Sequence, residues 1–240
     1  MKHFFIAGAF TFFSLCVWAQ PASKAMPLYK KAQQLEQKGL FADAIGAYKK
    51  SIAIDKKFDS SHLALAALFL RISKNDSAIA VLKKAVKAKP DFAGAYAMLG
   101  LIYRDYTKNS TEAIVHYSNA VKYDSANKQS FYSLAWCSND LKQYSNGINY
   151  AIKALDIDNS YKPAYNELAH AIRNLGIFKE GIEIFRQRIN ISVNELPLYY
   201  SGLCYIQLKD KAGAQKIYEE LLAIKSKSAE SLKPKIDAMQ

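Results

Sequence analysis

Few side chains in this sequence could do covalent chemistry, and they are scattered. Besides His3, the histidines are His62, His116 and His170, far apart and never in the paired spacing of an H-E-x-x-H zinc site. Glu219 with Glu220, and Asp156 with Asp158, fall on helices or helix ends, where carboxylates ordinarily face solvent. No glycine-rich phosphate loop follows a strand, because the pattern predicts no strand. The sequence therefore predicts no catalytic residue, no metal site and no cofactor. What remains for function are groups that bind: aromatic rings, amides and guanidinium groups. Their placement depends on how the chain is organised.

That organisation is a repeat. Six copies of about 34 residues lie end to end at 25–58, 59–92, 93–127, 128–161, 162–194 and 195–228. Position 8 of the copies holds Ala32, Ala66, Gly100, Ala135, Ala169 and Gly202. Position 20 holds Ala44, Ala78, Ala113, Gly147, Gly181 and Ala214, allowing one extra residue in the third copy's turn. All twelve are Ala or Gly, which make up only 44 of the 240 residues, so composition alone does not produce the pattern. Small residues in register let two helices approach to axes about 8–10 Å apart. Larger residues surround them: Tyr96, Phe131 and Tyr165 at position 4, Phe69 and Ile172 at position 11, and Tyr48, Leu82 and Phe185 at position 24. Lys38-Gly39, Lys74-Asn75-Asp76 and Leu175-Gly176 mark turns between paired helices.

The pattern resembles the tetratricopeptide repeat, a helix–turn–helix unit of 34 residues. The fullest matches are Tyr96-x2-Leu99-Gly100-x2-Tyr103 and Ala78-x6-Ala85-x4-Pro90. The resemblance implies an all-α fold, a right-handed α-solenoid of six helix pairs in one domain over residues 20–228. It also implies protein-interaction work of no particular kind. Lys31 and Ser201 depart from the usual Leu at position 7, and Arg188 and Leu221 from the small residue at position 27.

The ends read differently. Met1-Lys2-His3 precedes an uncharged, mostly apolar run at 4–18, shorter than the roughly 20 residues a spanning helix needs. This is the layout of a secretory signal peptide over 1–19, with cleavage expected between Ala19 and Gln20. Leu15 before Cys16 argues against a lipid anchor. The expected product is exported, periplasmic or secreted. Frequent Lys, Ile, Asn and Tyr, all with AT-rich codons, point to a bacterium. A eukaryotic secreted protein is the alternative, with Asn75, Asn109 and Asn190 as glycosylation acceptors. At residues 229–240 the chain ends in a tail or short capping helix. Leu232, Ile236 and Met239 are spaced for a cap, but Pro234 argues against a continuous helix there. Leu221, Leu222 and Ile224 are then left partly uncovered, a route to weak self-association through this end.

The net charge is +12, or +11 once Lys2 leaves with the signal. Much of the excess lies on second helices (Lys49, Lys50, Lys83, Lys84, Lys87, Lys122, Lys153), where a solvated outer face accounts for it. The functional alternative is attraction to an anionic envelope surface. No nucleic-acid motif is present. Cys137 and Cys204 share position 10 two repeats apart, on the order of 20 Å from helix spacing. A disulfide needs Cα atoms within about 7 Å, so both are expected to be small buried hydrophobes.

In the repeat family, positions 2, 5, 9, 12 and 13 line the inner groove. On copies four to six these positions include Tyr132, Trp136, Asn139, Asn166, His170, Arg173 and Tyr199. Amides pair with a peptide backbone, Arg173 takes a carboxylate, and Tyr132 or Trp136 covers an apolar side chain. Several of these residues fit structural roles equally well. Trp136 either packs between first helices or faces the groove, His170 serves structure, and the asparagines cap or satisfy local backbone. The family's chaperone-tail clamp uses Lys and Asn where this chain has Tyr29 and Gln33, so that clamp is absent. The expected function is a non-catalytic scaffold holding an extended protein or peptide segment in its groove. The alternatives are a binder of envelope polysaccharide or peptidoglycan, and an accessory subunit of an envelope enzyme.

Overall fold

The computed structural model describes residues 21–189 and 195–239, and among these residues there is no strand. The expected signal peptide, its junction at Ala19 and Gln20, and the Asn190 acceptor lie outside the described residues. The helices are α1 (Pro21–Gln37), α2 (Phe41–Ile54), α3 (Asp59–Arg71), α4 (Asn75–Ala88), α5 (Ala93–Leu101), α6 (Ser110–Tyr123) and α7 (Lys128–Asp140). They continue with α8 (Tyr144–Ile157), α9 (Lys162–Leu175), α10 (Phe178–Ile189), α11 (Glu195–Gln207), α12 (Lys211–Ala223) and α13 (Ser228–Asp237). Helices α3, α5, α7, α9 and α11 start at residues 59, 93, 128, 162 and 195, the first position of a copy. The fold is an all-α helical repeat.

The chain divides after Ser61 into two compact units. In the first, α1 packs on α2 through Ala32 and Ala44, both fully buried. The Ser51 hydroxyl donates to the Ala25 carbonyl at 2.9 Å and lies 2.8 Å from the Ser61 hydroxyl. The second unit, from His62, contains the remaining pairs. Over the whole chain, eleven of the twelve Ala and Gly side positions are buried, and Ala169 is half-buried.

The turns repeat as strictly as the helices. One residue at each within-pair turn takes a left-handed backbone: Gly39, Ser73, Lys108, Lys142, Gly176 and Lys209. The amide that follows it donates back to the carbonyl of position 11: Leu40 to Leu35, Lys74 to Phe69, Asn109 to Tyr103, Gln143 to Ser138, Ile177 to Ile172 and Asp210 to Tyr205, at 2.8–3.3 Å. This is the closure that satisfies the last carbonyls of a helix. Only two of the six positions are glycine, so most of these turns carry no obvious sequence signal.

Two local features differ from the sequence-based expectation. The third copy's extra residue is not in the turn. It is absorbed inside the first helix as a π-helical turn over Ile102–Tyr106, where the Thr107 amide donates to the Ile102 carbonyl at 3.1 Å. A π-bulge takes in one residue without ending the helix, and here it carries Arg104 and Asp105. Secondly, Pro234 does not interrupt the C-terminal helix. α13 is continuous, with Leu232 fully buried and Ile236 nearly so against Leu198, Ala214, Ile217 and Leu221. Burial of these side chains outweighs the one backbone bond that proline removes toward Glu230, which sits on the exposed side. Leu221 is thus covered, while Leu222 and Ile224 stay exposed.

A stacked aromatic column runs through the third copy. The His116 ring lies 5.1 Å from Tyr103 and 6.3 Å from Tyr96, and Tyr96 stacks on Tyr123 at 5.9 Å. Nδ1 of His116 is buried with no hydrogen-bond partner. Burial lowers the pKa of this imidazole; Glu112 opposes the shift and Lys83 adds to it. The unfolded chain, with histidine near about 6.5, therefore binds the proton more readily. The stabilisation is present above that pH and is lost as pH falls toward the folded value. Between about pH 7 and pH 5, the unfolding midpoint of the parent protein should drop further than that of His116→Phe; equal drops would refute the assignment.

Cys137 and Cys204 are free and buried, and burial pushes both thiols up to about 12. Thiolate is the reactive form. A thiol reagent at pH 8 should label neither cysteine in the folded protein within minutes, and both after denaturation. Rapid labelling of the native chain would show that these positions open.

Candidate groove site

First helices pack in a row in the second unit, α7 on α9, α9 on α11, and α11 on α13. α13 thus takes the place a seventh first helix would occupy. Polar side chains on this row mostly tie one repeat to the next. The Asn139 amide, buried, donates to the Glu167 carbonyl at 3.0 Å and to its carboxylate at 2.9 Å. Arg104 donates to the Ser133 hydroxyl at 2.8 Å and grips Asp105 at 2.6 and 2.9 Å. That contact holds the Asp105 carboxyl below the usual carboxylate range. The Ser110 hydroxyl donates to Asp140 at 2.6 Å.

Asp156 and Asp158, expected to face solvent, are both ion-paired, Asp156 with the next repeat and Asp158 with the start of its own. Asp156 pairs with Arg188 at 2.6 Å, and Asp158 with Lys128 at 2.5 Å. The Lys128 ammonium, followed by Ser160, brings Asp158 down to about 2. Arg188, at a position that usually takes a small residue, is accommodated by this ion pair.

Each residue singled out from sequence has a definite place. Tyr132 is half-buried and meets Tyr161 edge-on at 5.9 Å. Trp136 is half-buried beneath the Arg104 guanidinium, 5.7 Å from its ring. Asn139 is spent on Glu167, and its Oδ1 sits where a side chain on Gly147 would have to go. Tyr199 packs edge-on against Tyr200 at 5.5 Å. Asn174 donates to the His170 carbonyl at 2.8 Å, a purely local bond.

Asn166, His170 and Arg173 come together instead. They follow one another at helical spacing along α9 and line a cavity of about 750 Å³. Asn166 accepts a hydrogen bond from the Tyr200 hydroxyl, whose ring is buried and whose pKa burial raises to about 12. Arg173 is exposed and has no ion-pair partner among the described residues. The rest of the wall is largely apolar: Ala169 and Ile172 from α9, Phe178 from α10, and Leu203, Cys204 and Ile206 from α11. The far side comes from Lys235 on α13 and from Ala238 and Met239 just after it. The sequence singled out the α9 face, with Asn166, His170 and Arg173. It missed the α13 wall because Pro234 hid a helix that the spacing of Leu232, Ile236 and Met239 had signalled.

Among the described residues no three His, Cys, Asp or Glu side chains gather as a metal site, and no helix is long and apolar enough to cross a membrane. The cavity's size and mainly apolar lining with a few convergent polar groups are those of a binding site.

The helix pairs agree with known proteins. Residues 22–172 match the family model described as the tetratricopeptide repeat protein 21 C-terminal ARM domain, and residues 198–228 match a tetratricopeptide repeat model. No curated protein sequence matches the chain. Among solved structures, MamA is similar at 23% identity and a TM-score of 0.58, covering 71% of this chain and 91% of its own. PilW, a widely conserved type IV pilus biogenesis factor, is similar at 17% identity and a TM-score of 0.54, covering 87% and 98%. YrrB, described as a TPR protein with an unusual peptide-binding site, is similar at 20% identity and a TM-score of 0.57, covering 78% and 93%. These likenesses are of fold. Helices paired through Ala and Gly in register, together with a model match over more than half of the sequence, make this chain a member of the tetratricopeptide-repeat family.

Proposed function

We propose that this protein is a non-catalytic scaffold of an exported, envelope compartment that holds an extended segment of a partner protein along α9, α11 and α13. The observation that carries this reading is the cavity with Arg173 at its edge. A guanidinium with no carboxylate partner beside an apolar wall has little structural purpose and suits a ligand group. Asn139 and Glu167 are already engaged with one another between repeats, as are Arg104 and Ser133, which narrows the contact surface to this region. Tyr132 and Trp136 sit under or beside neighbouring side chains and contribute secondary apolar cover. The likeness to YrrB, described as having a peptide-binding site, supports a protein partner. The apolar leader expected over residues 1–19 supports export.

Capture of one stoichiometric protein from envelope extract tests the proposal. Arg173→Glu should reduce capture at least tenfold, since charge-assisted contacts are worth about 1.5–3 kcal/mol, with helical content unchanged by circular dichroism. Full capture by the variant removes the site. Retention on insoluble cell-wall material in place of a protein would favour the polymer-binding alternative.

A further inference from the structure

Resting on that reading, we propose that the cavity takes an acidic–apolar anchor: the side-chain carboxylate of an Asp or Glu flanked by bulky apolar residues in the partner segment. Three properties of the cavity point to this chemistry. Its charged lining is all of one sign: Arg173 stands on α9 and Lys235 on α13, and no Asp or Glu lines the wall. Both cations are exposed, and neither has an ion-pair partner among the described residues. Two cations contributed by different helices repel one another unless an anion lies with them, and the chain's net charge of +12 adds to that preference.

The interior is apolar, with Ile172, Leu203 and Met239 among its surfaces. A carboxylate alone gains nothing from such walls, whereas a leucine or phenylalanine next to it does, at about 25 cal/mol per Å² removed from water.

The polar rim selects a peptide over an anionic acyl chain of similar length. Asn166 and His170 on α9, with Gln207 at the end of α11, also line the cavity. Their amide and imidazole groups can pair with the backbone of an extended segment. An acyl tail would offer them nothing and leave them desolvated without partners. α13 completes the site, since it supplies Lys235, leads directly into Met239 and is held by Leu232 and Ile236 in the terminal core. The last helix is thus both a cap for the array and one wall of its anchor site.

Calorimetry on the full chain with capped peptides tests this. The probe is acetyl-Ser-Phe-Leu-Asp-Leu-Ser-amide. Its comparators carry Asn or Lys in place of the Asp, or Ser in place of the Phe and both Leu; dodecanoate is the acyl control. The Asp peptide should bind about tenfold more tightly than the Asn peptide, and this margin should shrink as salt is raised. The Lys peptide and the peptide with serine in place of its apolar residues should bind more weakly still. Arg173→Gln with Lys235→Gln should abolish the difference between the Asp and Asn peptides.

Equal binding of the Asp and Asn peptides by the parent protein overturns the anchor chemistry and leaves the groove reading intact, because a peptide is still held. Tighter binding of dodecanoate than of any peptide also overturns it. If no peptide binds while Arg173→Glu still abolishes envelope capture, only the anchor chemistry falls. If no peptide binds and capture survives in that variant, both readings fall.

Discussion

Tyr165→Ala should lower the stability of the protein by about 3–5 kcal/mol, the range for removing a large aromatic side chain from a packed core. Tyr165 is fully buried on α9 within the apolar core shared by α6 to α11. Its ring stacks on Tyr200 at 5.7 Å, nearly parallel, and lies 6.2 Å from Phe185. It therefore joins α9 to both the helix it pairs with and the first helix of the next repeat. Its hydroxyl donates to Asn159 Oδ1 at 3.1 Å, and Asn159 in turn donates to the Arg188 carbonyl at 3.1 Å. Alanine removes the ring from three elements at once and leaves a void that the stacked neighbours only partly fill.

In a chain of this size the thermal midpoint should fall by roughly 6–20 °C, at about 2–4 °C per kcal/mol. Tyr165→Phe keeps the ring and loses only the hydroxyl contact, so its cost should be about 1 kcal/mol. A drop of less than about 1 kcal/mol for the alanine variant, far below the usual cost of such a truncation, would show that α9 is not a packing hub. Because a repeat array is held by nearest-neighbour contacts, hydrogen exchange in the Tyr165→Ala protein should rise first in α9 to α11.

Gly100→Ala should destabilise by about 1–3 kcal/mol, the usual effect of overpacking, although alanine is the better helix former. A Cβ built on Gly100 lies 2.8 Å from two carbons of the Tyr117 ring and 2.9 Å from a third. Tyr117 has little room to move. It is buried, hydrogen-bonds Ser133 through its hydroxyl, and has the Arg104 guanidinium 5.9 Å from its ring centre. Gly46, also inside a helix, meets nothing within 4 Å at the same construction. Gly46→Ala should therefore stabilise by about 1 kcal/mol through helix propensity alone. Opposite signs for these two substitutions, measured by chemical denaturation, are the expected result. A stabilising Gly100→Ala would mean that the close approach of α5 and α6 is not limited by the Tyr117 ring.

The sequence by itself determined the helical repeat, the register of its pairs and the burial of its cysteines. Those properties follow from local periodicity: an Ala or Gly every 34 residues permits a close approach that a larger residue forbids, and the neighbouring apolar residues then have one face to cover. Arg173 was legible through the family resemblance, which assigns Asn166, His170 and Arg173, at positions 5, 9 and 12 of the fifth copy, to the groove.

The tertiary structure decided which polar groups remained free. Asn139, Asp156 and Asp158 each find partners about thirty residues away, a distance no local pattern encodes. It also placed the third copy's extra residue in a π-turn, where Arg104 covers Trp136. Finally, it kept α13 helical through Pro234, because a lost backbone bond on the exposed side weighs less than two buried apolar side chains. That balance between a local penalty and long-range burial exists only once the chain has folded, and it is what gives the cavity its second wall.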